Sequence, residues 1–119
     1  MQGSSLIMVV KSRWESPCIV LEVIGDLDSS GVPRLRAAID SACASGTPPH
    51  LVLDLTEVPF CDSTGLGLLV STLKRVRQAR GRLVLVLGPG MIARLLTITN
   101  LDGHFETTDS LPDALLAAA

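Results

Sequence analysis

At 119 residues with a formal net charge of -2, the chain has room for one domain burying roughly two thirds of its unfolded surface, and it lacks the positive field that binding to a nucleic-acid backbone needs. A hydrophobic content of 47% against 18% charged residues excludes the disordered class, and 3% aromatic residues with no Tyr leave no platform for stacking bases. Cys18, Cys43 and Cys61, odd in number and without CxxC spacing, argue against a disulfide framework or a zinc site and fit a reducing cytoplasm.

The first apolar run, Leu6 to Val10, has no basic residue before it and is too short for a signal sequence or a bilayer span, so a soluble, unexported protein is expected, with no direct membrane insertion. LIMVV and CIVLEVI read as two β-rich runs joined by a hairpin-like turn over Trp14-Glu15-Ser16-Pro17. Val32, Leu35, Ile39 and Ala42 then recur at helical spacing, with Ser29 or Ser30 as N-cap and Gly46 as stop. Leu51 to Leu55 is almost wholly apolar, as a strand covered on both faces should be. Leu66, Leu69, Val70, Leu73 and Val76 mark a second helix ended by Gly81.

LVLVL, residues 83 to 87, predicts another buried strand, and Ile92, Leu95 and Leu96 a third helix after Gly88-Pro89-Gly90. His104 to Thr107 predicts an edge strand, and Ser110 with Asp113 three residues on predicts the capped start of a terminal helix. With no internal repeat or linker, residues 1–119 read as a single α/β domain: a mostly parallel central sheet of four to five strands with helices. Parallel crossover units put every strand-to-helix turn at the carboxyl edge of the sheet. GDLDSS (25 to 30), CDSTGLG (61 to 67) and GPGM (88 to 91) should therefore cluster there, where open α/β sheets place their sites.

CDSTGLG has three competing readings: a catalytic nucleophile, a phosphate cradle, or a hydroxyl that itself receives a phosphate. A nucleophile elbow would need Gly where Cys61 stands, and neither His50 nor His104 falls at a turn of that edge; both read as loop or strand-end residues. The cradle lacks the third glycine of GxGxxG, and Gly65 and Gly67 read as residues for a tight turn and close helix-to-sheet packing. A serine in the first helical turn needs no further machinery, because free N–H groups and the positive end of the helix dipole accommodate a phosphate. The plain alternative is that Asp62 or Ser63 is only an N-cap. Two neighbouring features also carry double readings. Lys74, Arg75, Arg77, Arg80 and Arg82 fit a solvated helix end or a contact for an acidic partner, and Cys61 fits a buried structural thiol or a redox modulator.

FCDSTGLG after an apolar strand, and IGDLD before the first helix, resemble the two signature elements of the STAS domain family, in particular its bacterial anti-sigma factor antagonists. The resemblance runs over nearly the whole chain and departs only mildly, with Cys61 where the family often has Met and Asp26 where it often has Glu. It implies a STAS-like fold, phosphorylation at Ser63, and a partner-binding surface of Asp28, Asp62, Ser63, Thr64 and Gly65. The implied partners are an anti-sigma factor that is itself an ATP-dependent serine kinase, bound when Ser63 is unphosphorylated, and a metal-dependent serine phosphatase that removes the phosphate. It implies no catalytic residue, metal or cofactor in this chain and a cytoplasmic location. The alternative it leaves open is a non-switching STAS subunit of a stressosome-like complex or of a membrane transporter assembly.

Overall fold

The computed structural model describes residues 7–44 and 46–119. Its elements run β1 (Val9–Glu15), β2 (Cys18–Ile24), α1 (Val32–Ala42), β3 (His50–Glu57), α2 (Ser63–Gln78), β4 (Arg82–Val86), α3 (Met91–Ile98), β5 (Glu106–Thr108) and α4 (Leu111–Ala118). The five strands lie in the order β1-β2-β3-β4-β5; β1 pairs antiparallel with β2, and every other pair is parallel. The expected fold class is therefore the observed one, with five strands.

The aliphatic runs explain themselves once both faces of the sheet are covered. Leu21, Leu51, Leu53, Leu83 and Leu85 point to the face packed by Leu35 and Ile39 of α1, Leu68 and Leu69 of α2, and Ile92 and Leu96 of α3. Cys18, Val20, Val52, Val84 and Val86 point the other way, against Ala114 and Ala118 of α4. Alternate residues thus serve two cores, so these strands have no polar face and read as continuous hydrophobic runs. Among the described residues no helix is long and apolar enough to cross a membrane.

Local boundaries differ from the expectations where exposure or tertiary contact decides. The first run lies partly outside the described residues at Leu6, and β1 begins only at Val9. The strand then continues through Trp14 and Glu15, which pair with Ile19 and Cys18, so the turn is Ser16-Pro17 alone. β1 is a sheet edge whose residues are mostly exposed, and hydrophobicity does not mark such a strand.

Neither Ser29 nor Ser30 caps α1. Gly31 takes that position without a side-chain bond, while the Asp28 carboxylate accepts from the Ser30 and Gly31 amides just before it. α1 also stops at Ala42, before Gly46. At the end of α2 the left-handed residue is Arg80 (φ 59), and Gly81 is small for another reason: a β-carbon there would come within 2.1 Å of the Pro49 carbonyl oxygen. The last strand is Glu106–Thr108, two residues beyond the expected start. The Ser110 cap is as read, its hydroxyl accepting from the Asp113 amide.

Candidate functional site

The three strand-to-helix turns meet at the carboxyl edge. The Leu27 amide donates to the Phe60 carbonyl at 2.9 Å and the Asp62 amide donates back to the Leu27 carbonyl at 3.3 Å, making a one-residue parallel bridge between Leu27 and Cys61. The Cys61 amide in turn lies 3.4 Å from the Met91 sulfur, which brings GPGM to the same place. GDLD and CDSTGLG are therefore stitched together one residue before Asp28 and two before Ser63.

Asp62 is the N-cap of α2. Its backbone is extended, its Oδ1 accepts from the Gly65 amide at 3.0 Å, and its carbonyl accepts from the Leu66 amide at 2.9 Å. Local chemistry dictates this, since a short carboxylate at that position satisfies one of the orphan donors of the first turn. Ser63 and Thr64 follow as the first two helical residues, both exposed. Their amides, at the positive end of the helix dipole, are outside the Asp62 cap.

Gly65 and Gly67, read alike from the sequence, separate here. A β-carbon on residue 65 would stand 2.2 Å from the Leu27 carbonyl oxygen and 2.9 Å from the Cys61 sulfur, so glycine lets α2 close onto the bridge. Around Gly67 nothing lies within 4 Å, and the packing expectation fails for it: that position faces solvent.

Asp28 holds the other side of the edge. Its Oδ1 accepts from the Ser30 hydroxyl at 2.7 Å and from the Ser30 and Gly31 amides at 3.0 Å each. The Ser30 hydroxyl first, and the Gly31 amide next, hold its carboxyl below the usual range. Its Oδ2 makes no hydrogen bond among the described residues. Asp26, Asp28, Glu57 and Asp62 give this edge a negative character.

Cys61 is buried, and desolvation, with the Asp62 charge second, pushes its thiol up to about 11. A protonated thiol packed under a helix start is a structural group, which favours the buried reading over the redox one. His50 opens β3 at the far end of the sheet, its Nδ1 against the Ala118 carbonyl, and His104 lies in the link between α3 and β5. Eight residues of β3 separate His50 from the Ser63 side, about 23 Å of strand at the usual rise. Among the described residues no group of three His, Cys, Asp or Glu is arranged to hold a metal ion. Leu27 and Met91 join the site without having been singled out from the sequence. The available signal for Leu27 was its position between the two acids of GDLD.

A family model described as STAS domain matches residues 10–114. The chain belongs to the STAS domain family. This STAS domain is 36% identical over 99 residues to the anti-sigma-B factor antagonist of Listeria monocytogenes, covering 82% of this chain and 83% of that protein. Its fold matches the crystal structure of an anti-sigma factor antagonist from Mycobacterium paratuberculosis with a TM-score of 0.82 at 31% identity, over 93% of each chain. It also matches the Bacillus cell fate determinant SpoIIAA in its phosphorylated form, with a TM-score of 0.72 at 18% identity over 93% of this chain and 100% of that one, a likeness of fold alone.

Proposed function

We propose that this STAS domain is an anti-sigma factor antagonist, a cytoplasmic binding module that docks a kinase-type anti-sigma factor through its carboxyl edge and is released when that kinase phosphorylates Ser63. The observation that carries the reading is the setting of Ser63: an exposed hydroxyl at the first position of α2, beside amides outside the Asp62 cap and one bridge away from Asp28. Asp62, Thr64 and Gly65 complete the surface, and the free Oδ2 of Asp28 offers a cationic group of the partner its anchor. The relatives named as anti-sigma factor antagonists support the same reading.

A phosphate on Ser63 would be tolerated by the helix start, which supplies amide donors and a positive dipole. It would add about -1.5 to -2 charge to an edge already carrying Asp28 and Asp62. Against a partner surface shaped for a neutral hydroxyl, that charge brings desolvation and steric cost, so affinity falls while the domain stays folded. A separate serine phosphatase would restore the binding form.

The experiment is peptide mapping of the protein taken from its own cells, with and without phosphatase treatment. Phosphate on Ser63 that disappears on treatment is the expected result. Protein without phosphate under every growth condition, or phosphate confined to Thr64, would overturn the reading.

A further inference from the structure

At the far end of α2 lies a trough that the Ser63 edge does not use. Two adjoining hollows of about 150 and 240 Å3 share Leu73, Arg77 and His104, between α2 and the link from α3 to β5. The smaller has an apolar floor of Val70, Leu101 and Phe105, and the larger is walled by Arg82 and Glu106. Lys74, Arg75, Arg77, Arg80 and Arg82 are half of the chain's ten basic residues, gathered between the last turns of α2 and the first residue of β4. Arg75 is turned away to Asp40, and Arg82 is paired with Glu106 at 3.0 Å. Lys74, Arg77 and Arg80 have no carboxylate partner among the described residues. One nitrogen of Arg77 donates to the His104 carbonyl at 2.9 Å, which holds its guanidinium over the junction of the hollows with further N–H groups unused.

The helix dipole accounts for cations in the last turn of α2. It does not account for an apolar floor beside them. We propose that this trough docks an acidic, amphipathic segment of a partner protein, seating an apolar side chain against Leu73 and Leu101 and a carboxylate on Arg77. Each hollow is smaller than the roughly 300–1,000 Å3 that encloses a small-molecule ligand and is suited instead to single side chains. A nucleic acid fits poorly, since Phe105 is buried and cannot stack on a base. The trough is of opposite sign to the edge bearing Asp26, Asp28 and Asp62, and the length of β3 lies between them. A partner held here leaves Ser63 free, so the inference stands apart from the phosphorylation reading.

The probe is a synthetic peptide of repeating Glu-Glu-Leu, titrated into 15N-labelled protein. Amide shifts are expected at Leu73, Arg77, Leu101 and Phe105, and the same affinity is expected for Ser63→Asp. Lys74→Gln with Arg80→Gln, at exposed positions with no carboxylate partner among the described residues, removes two charges without setting anions against the end of α2 and should weaken binding about tenfold or more, with a circular dichroism melt to check that the domain stays folded. A repeating Glu-Glu-Ser peptide should also bind at least tenfold more weakly. Absence of shifts, shifts centred on the Ser63 edge, or equal binding of the two peptides would overturn the proposal. So would tighter binding of an oligoadenylate or of phosphatidylglycerol vesicles than of the Glu-Glu-Leu peptide.

Discussion

Leu27 and Gly65 approach so closely that a β-carbon on residue 65 would lie 2.2 Å from the Leu27 carbonyl oxygen. That oxygen also accepts from the Asp62 amide, so it cannot move aside without loosening the bridge between the two turns. Gly65→Ala is therefore expected to destabilise the domain by about 3 kcal/mol, at the upper end of what overpacking does. Urea unfolding monitored by circular dichroism checks this; a loss under about 0.5 kcal/mol would mean that α2 can pivot freely off Leu27.

Gly67, two residues on, should behave in the opposite way. Its surroundings are open and it sits within the regular part of an exposed helix face, where alanine is better than glycine by about 0.5–1 kcal/mol. Gly67→Ala should raise the unfolding free energy by that amount, seen as a higher urea midpoint in the same assay. A destabilised variant would reveal a contact that the fold does not account for.

Replacing Ser63 should change binding without changing the melt. Ser63→Ala is expected to bind the anti-sigma factor and to resist being switched off. Ser63→Asp should bind more weakly than Ser63→Ala, though better than the phosphoprotein, whose affinity should drop about a hundredfold or more. Thr64→Ala should still accept phosphate at residue 63. Calorimetry against the partner, with thermal melts alongside, separates the cases: equal affinities for the two Ser63 variants would refute electrostatic exclusion, and a collapsed melt for Ser63→Asp would point to unfolding of the helix start.

Asp28 should titrate below the usual carboxylate value of about 3.9, because three donors converge on its Oδ1. A depressed folded-state pKa favours the folded form above the unfolded value, and this contribution is lost as pH falls through the folded one. The window is thus acidic, below about pH 4. Ser30→Ala removes the largest cause and should move the Asp28 midpoint upward in an NMR titration. An unchanged midpoint would mean that the amides alone set it.

Cys61, raised from the ordinary value to about 11, should hold about a hundredfold less thiolate at neutral pH than a free cysteine. Iodoacetamide followed by peptide mapping should label it slowly in the folded protein and rapidly in urea. Rapid labelling of the folded form would revive a redox role beside the switch serine.

Much of this molecule follows from local chemistry, and that part was legible in the chain itself. Two-sided burial wrote the central strands as aliphatic runs, helical periodicity marked α1, α2 and α3, and Asp62 and Ser110 announced their helix starts because a cap is a contact within a few residues. The first hairpin was legible in LIMVV and CIVLEVI, but the reach of β1 through Glu15 was not, because the exposed half of an edge strand has no hydrophobic signature. The cap expected at Ser29 or Ser30 failed because Asp28 takes the local donors first. Other features depend on atoms far apart in sequence. Only the packing of α2 onto the Leu27–Cys61 bridge tells Gly65 from Gly67, since the two glycines differ in what approaches them and not in their own chemistry. The strand-helix order already sends both turns to one edge of the sheet, but only the tertiary structure decides their register there, because the bridge that sets Leu27 against Cys61 depends on how two loops more than thirty residues apart meet and not on the residues of either loop alone.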